Sequence, residues 1–283
     1  MKSYVKKAIS SVLAVATAFG AMGMLTACGA KTHEMQMKLE YEGETYSLTY
    51  QLYDDIAPAT VAHFVKLVEE GYYNGICVHD YRSGSKMYTG AYKYSETQVA
   101  DGGLSYQPYY DIVSQYKNFP HTVWSDETQA AGTETYTLYG EFAANNFNVK
   151  SGALKQSFGS LSMYYTEKDY EDELKVWAKR SDNKGTSPRE YRYNSATSMF
   201  AISLSTTETS STSYCTFAKL DDGSKAVLED LLGEIAEVEE FTTNVSLRMN
   251  EDDKFVDTTN TNYNVPVSPI VIKSMKITKY SKN

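Results

Sequence analysis

The chain has 283 residues, with 36 acidic against 27 basic side chains and a net charge of −9 at pH 7. That balance argues against nucleic acid or an anionic lipid surface as partner, since both demand clustered Lys and Arg. The length supports one sizeable core, read here as a single domain with insertions.

Lys2, Lys6 and Lys7 precede an apolar, small-residue run from Ala8 to Met24, and Leu25-Thr26-Ala27-Cys28 closes it. This is the pattern of an export signal, and a Cys directly after Leu-Thr-Ala is the bacterial lipobox, in which Cys28 carries the lipid. Residues 1–27 are thus read as a lipoprotein signal peptide, 28–34 as a tether and 35–283 as the folded domain. The expected location is the bacterial cell membrane, lipid-anchored on the extracytoplasmic face. Loss of three lysines and no acid leaves −12 on the mature part. Cys77 and Cys215 fall in predicted strands, as a disulfide or as two buried thiols. The four histidines have no metal-ligand spacing, so no metal site is expected.

In chain order, Met35–Tyr41 and Tyr46–Leu52 alternate apolar and polar across Glu42-Gly43-Glu44, the signature of a β-hairpin. Pro58 opens a helix with Val61, Phe64, Val65 and Val68 on one face, ended by Gly71. His63 falls between those positions and is read as a surface residue. Next come Tyr72-Tyr73-Asn74-Gly75-Ile76-Cys77-Val78-His79 and the stretch to Gly90. Residues 91–135 form an insertion rich in Tyr, Ser, Thr and Gly. Strand patterns resume at Tyr136–Tyr139, Gly140-Glu141-Phe142 and Gly159-Ser160-Leu161-Ser162-Met163. A second insertion, 164–193, carries a predicted helix from Thr166 to about Arg180, with Tyr170, Leu174 and Trp177 on one face. Asn194–Ile202 and Tyr214–Lys219 read as strands. Asp222-Gly223 leads into a helix bearing Leu228, Leu231, Leu232 and Ile235, and Pro269–Ile277 is a closing strand. Acidic runs such as Glu237–Glu240 and Glu251–Asp253 read as solvated faces.

Four blocks, 46–90, 136–163, 194–237 and 266–278, resemble the cyclophilin family in family order. The resemblance implies a mainly β fold: a closed eight-stranded antiparallel barrel capped by two helices, interrupted by two insertions. It also implies cis–trans isomerisation of X-Pro bonds, proline-containing polypeptides (exported proteins) as partners, and no cofactor. Rotation about such a bond is slow because amide resonance sets a barrier of ~18–20 kcal/mol. The family lowers it with an Arg directed at the prolyl nitrogen, beside an apolar pocket.

Aligned without gaps on His79, Gly84 and Gly90, that Arg position holds Asp80. The pocket Phe and Met positions hold Ser85 and Lys86, and the Gln position holds Tyr88. In the later strand Met199 stands for Gln, Phe200 is kept, and Ala201 replaces the pocket Phe; no Trp occurs around residue 209. Arg82 lies two residues beyond Asp80, hence on the same strand face. It either serves as the catalytic cation or forms a surface ion pair with Asp80. The candidate groove is Asp80, Met87, Tyr88, Met199, Phe200 and Phe217. Two functions follow: an extracytoplasmic prolyl isomerase using Arg82, or a catalytically lapsed module that binds polypeptide or cell-wall ligands.

Overall fold

The computed structural model describes residues 32–95, 103–147, 154–165, 175–190, 195–238, 241–246 and 262–281. The signal segment, Cys28, Tyr170, Leu174 and the acidic runs at 239–240 and 251–253 lie outside the described residues.

β1 (Thr32–Tyr41) and β2 (Glu44–Tyr53) form the expected hairpin, in register from Thr32↔Tyr53 to Tyr41↔Glu44. Its two-residue loop, Glu42-Gly43, has φ of 48° and 84°. Both positive values match the primed turn whose twist suits paired strands. Met35, Met37, Leu39, Leu48, Tyr50 and Leu52 all point inward.

α1 (Pro58–Glu69) has no side-chain cap of its own. Glu141 supplies one from 81 residues downstream: its carboxylate accepts the Thr60 N–H at 2.7 Å, the Ala59 N–H at 3.2 Å and the Thr60 hydroxyl at 2.7 Å. A carboxylate there satisfies orphan amides and complements the helix dipole. Phe64 packs against Tyr73, Phe200 and Phe217 with ring centroids 4.8–5.3 Å apart. Burying one such side chain stabilises by about 1.5–3 kcal/mol.

His63 is not at the surface as expected. It is fully buried, with Nδ1 2.7 Å from the Pro120 carbonyl oxygen and Nε2 2.9 Å from that of Thr197. The first insertion folds over the outer side of α1 and covers it, with Phe119 edge-on to the imidazole at 4.7 Å. Burial lowers the His63 pKa to about 4, and the two carbonyls only partly oppose this.

The chain continues through β3 (Ile76–Cys77), β4 (Asp80–Arg82), β5 (Lys86–Thr89), β6 (Tyr92–Tyr94), β7 (Leu104–Tyr106) and a short α2 (Tyr109–Val113). After these come β8 (Val123–Trp124), β9 (Leu138–Tyr139), β10 (Leu161–Met163), β11 (Lys175–Lys179), β12 (Thr186–Glu190) and β13 (Ser195–Ala196). The last elements are β14 (Phe200–Ser203), β15 (Thr216–Leu220), α3 (Asp222–Val238), β16 (Phe241–Ser246), β17 (Asn262–Pro266) and β18 (Val271–Lys279). The predicted strand from Tyr136 to Phe142 shrinks to β9, because Tyr136 has φ +55° and residues 143–145 tighten into a 3-10 turn.

The main sheet runs β4-β5-β14-β10-β15-β2-β1-β18-β3-β6-β7. This corrects the closed eight-stranded barrel to a curled half-barrel of eleven strands. The extended stretch around His79 is split between two pairings. β3 pairs with β18 and β6, whereas β4 pairs with β5. Single hydrogen bonds span the break, from the Val78 N–H to the Ile270 carbonyl at 2.9 Å and from the His79 N–H to that of Tyr88 at 3.0 Å. β6 and β7, built from the first insertion, then extend the β3 edge. α1 and α3 flank the sheet, and α3 buries Leu228, Leu231 and Ile235.

The second insertion departs from expectation. Trp177 lies in β11, not on a helix ending near Arg180. Val176 and Ala178 are buried, Lys175 and Lys179 exposed, a period of two that only an extended chain presents. β11 pairs on one side with β12 and on the other with β8, placing Trp177 opposite Trp124. The two insertions therefore fold together into one three-stranded sheet.

Cys77 and Cys215 are both buried free thiols. Burial pushes each up to about 12, so neither is a ready nucleophile.

Candidate functional site

Strand pairing sets a row of residues across four neighbouring strands: Asp80 opposite Tyr88, Tyr88 opposite Ala201, Ala201 opposite Ser162. Directly opposed residues share a face. That row therefore forms one wall of a cavity of about 200 Å³, also lined by His79, Arg82, Lys86, Tyr164, Met199, Tyr214 and Tyr263. The adjacent row, Tyr81, Met87, Ile202, Leu161 and Ala218, faces the core.

This parity sorts the candidate residues. Asp80, Arg82, Tyr88 and Met199 line the cavity. Met87, Phe200 and Phe217 are buried in the main core on the other face. Phe200 lies one residue from both Met199 and Ala201, so strand alternation turns it inward. Sequence reasoning passed over Tyr164, Tyr214 and Tyr263 as groove residues. Tyr164 was legible as the same-face neighbour of Ser162, but Tyr263 arrives from β17, for which no strand was predicted.

Asp80 is 1% exposed and Arg82 51%. One carboxylate oxygen accepts the Arg82 Nε–H at 2.8 Å, and the other accepts the Asn264 N–H at 3.0 Å. Removing a carboxylate from water is expensive unless its lone pairs are met, and here a cation and an amide meet them. The Arg82 guanidinium also lies 5.5 Å from the centroid of Tyr88, a cation–π geometry. Lys86 sits 4.4 Å over the Tyr214 ring, and burial, then the nearby Arg82 charge, pull its pKa below the ordinary value. His79 is buried between the rings of Tyr92 and Tyr263 at 5.0 and 5.2 Å. Burial lowers its pKa to about 3 and keeps it neutral. The cavity thus offers flat tyrosine faces, one guanidinium and one ammonium above a carboxylate paired with that guanidinium.

The family model described as cyclophilin type peptidyl-prolyl cis-trans isomerase/CLD matches residues 35–276. The chain belongs to that family. Among solved structures it is similar to a cyclophilin type peptidyl-prolyl cis-trans isomerase of Cryptosporidium parvum, at 16% identity and a TM-score of 0.39, over 89% of this chain and 99% of that one. A structure of the same Cryptosporidium parvum protein in the presence of the dipeptide Ala-Pro is similar at 17% identity and a TM-score of 0.39, over 88% and 99%. No curated protein matches the chain. Asp80, which the ungapped sequence reading sets at the family's Arg position, is buried, and Arg82, one pleat along the same strand, is its ion-pair partner.

Proposed function

We propose that the protein binds proline-containing segments of exported polypeptides in the Asp80–Tyr88 groove and isomerises their X-Pro bonds slowly. The observation that carries this reading is the Arg82 guanidinium: it lines the cavity, is held by Asp80 through Nε, and is half exposed. Such a group can donate toward a prolyl nitrogen as amide resonance is lost. A preorganised donor of this kind contributes about 3 kcal/mol to a transition state. The paired carboxylate weakens the local positive field, which is why turnover is slow. Lipid on Cys28 would hold the domain at the outer face of the membrane, where exported chains emerge and fold.

A second reading, binding without turnover, draws support from Asp80 itself, since its negative charge occupies the position where the family places a cation. Exchange NMR on short Ala-Pro peptides separates the two. Acceleration that disappears in Arg82→Ala supports the isomerase. Peptide-induced shifts in groove tyrosines without acceleration support the binding module. Acceleration unchanged by Arg82→Ala removes Arg82 from the mechanism. Anchoring is checked by membrane fractionation, where Cys28→Ser should release the protein.

A further inference from the structure

A second concavity lies away from this groove, where the sheet built by the insertions meets the start of α1. Two adjoining chambers of about 340 and 540 Å³ share Tyr139, Phe147, Lys179, Arg180 and Ser181 in their walls. Both volumes fall in the range of small-molecule sites. Arg189 from β12 borders the smaller chamber, its guanidinium 5.6 Å from the centroid of Tyr139. Phe147 is partly exposed, its ring 6.5 Å from that of Tyr139.

The charges here are unevenly matched. Asp182 accepts two hydrogen bonds from Arg180, at 2.9 and 3.2 Å. Glu141 is committed to Ala59 and Thr60, so the α1 amides are already occupied. Asp55 lines the larger chamber. Among the described residues no carboxylate lies within ion-pair distance, 4.0 Å, of Lys179 or Arg189. In a chain of net charge −9, these are two cations that no described carboxylate approaches within ion-pair distance, Lys179 acting on Glu141 only through the longer-range field; beside two aromatic rings they set this cleft apart.

We propose that this cleft is a second ligand site, taking a phosphate monoester carried on a ring. Two cations match a phosphate of about −1.5 to −2 charge better than a carboxylate of −1. The Arg189 fork suits its oxygens, and Phe147 offers a face for the ring. The site is independent of prolyl chemistry and is tested without peptide.

The probe is phenyl phosphate, titrated calorimetrically into the full-length protein, with inorganic phosphate and phenol as the two halves of the ligand. Saturable binding of phenyl phosphate at millimolar Kd or tighter is expected, several-fold tighter than phosphate alone and absent for phenol. Glucose 6-phosphate then distinguishes a sugar ring from an aryl ring, and tighter binding of either supports the site. Lys179→Gln with Arg189→Gln should weaken binding by about tenfold or more, whereas Lys273→Gln in β18, which lines neither chamber, should not. Arg189→Lys keeps the charge but not the fork and should give an intermediate affinity, which excludes misfolding as the cause. No saturable binding, or affinity unchanged in the double variant, overturns the proposal. Equal affinity for inorganic phosphate overturns its ring component.

Discussion

A double-mutant cycle on Asp80 and Arg82 tests the electrostatics of the groove most directly. The perturbations are Asp80→Asn, Arg82→Ala and both together, each read by urea denaturation. Exposed ion pairs couple by about 0.2–1 kcal/mol, whereas breaking a fully buried pair costs about 3–5 kcal/mol. This pair is mixed, with Asp80 1% exposed and Arg82 51%. Water reaches the guanidinium in the native pair, and in Arg82→Ala the Asn264 amide still holds the carboxylate, so the expected coupling is about 1–3 kcal/mol. Arg82→Ala alone should destabilise more than the double variant, because it leaves a buried charge without its cation. A coupling energy below about 0.5 kcal/mol would show that the pair behaves as a surface contact. Arg82 would then not compensate the Asp80 charge beneath the groove.

Other outcomes follow from geometry already described. Gly90 has φ +112°, and a Cβ there would stand 2.4 Å from the Ser198 carbonyl oxygen; Gly90→Ala should cost several kcal/mol, on the order of 2–4, seen as a lower urea midpoint. His63 and His79 have folded pKa values lowered to about 4 and about 3, so the unfolded chain binds more protons below about 6.5. Their contribution is complete above that pH and is lost as pH falls toward the folded values, by up to about 1.4 kcal/mol per unit for each ring. Glu141, its pKa raised by burial, acts in the opposite sense. The urea midpoint should fall between pH 6.5 and 4.5 and fall less steeply in His63→Gln; identical slopes would refute the assignment. Glu141→Ala strips the start of α1 of its borrowed cap and should cost about 1–2 kcal/mol. Both tryptophans of the chain sit in the added sheet, so their emission should change together with far-UV circular dichroism if that sheet and the half-barrel unfold as one unit.

Which parts were readable in advance depends on whether the decisive contacts are local. The β1–β2 hairpin and α1 announce themselves because each has one wet and one dry face, so period two or 3.6 survives in the residue order. The shared face of Asp80 and Arg82 was readable for the same reason. Met87, Phe200 and Phe217 were assigned to the groove by residue type, but strand parity sends them to the core. The register Asp80↔Tyr88↔Ala201 decides that parity, and it belongs to pairing between distant segments. His63 was misplaced because its cover, near Phe119 and Pro120, has no periodicity of its own. β11 was read as a helix because Tyr170, Leu174 and Trp177 happen to fit helical spacing. Its pairing with β8, some fifty residues earlier, leaves no local trace. The split at Val78–His79 that opens the barrel is likewise set by which neighbour each half finds.

The partnership of β8 with β11 ties together two stretches that a map of the chain would treat as separable decorations. Excising either would strip its counterpart of a neighbour and leave a bare row of amides and carbonyls, the kind of edge that recruits other chains. Engineering of this scaffold must therefore keep or discard both inserts at once; trimming one alone should produce an aggregating protein instead of a smaller domain.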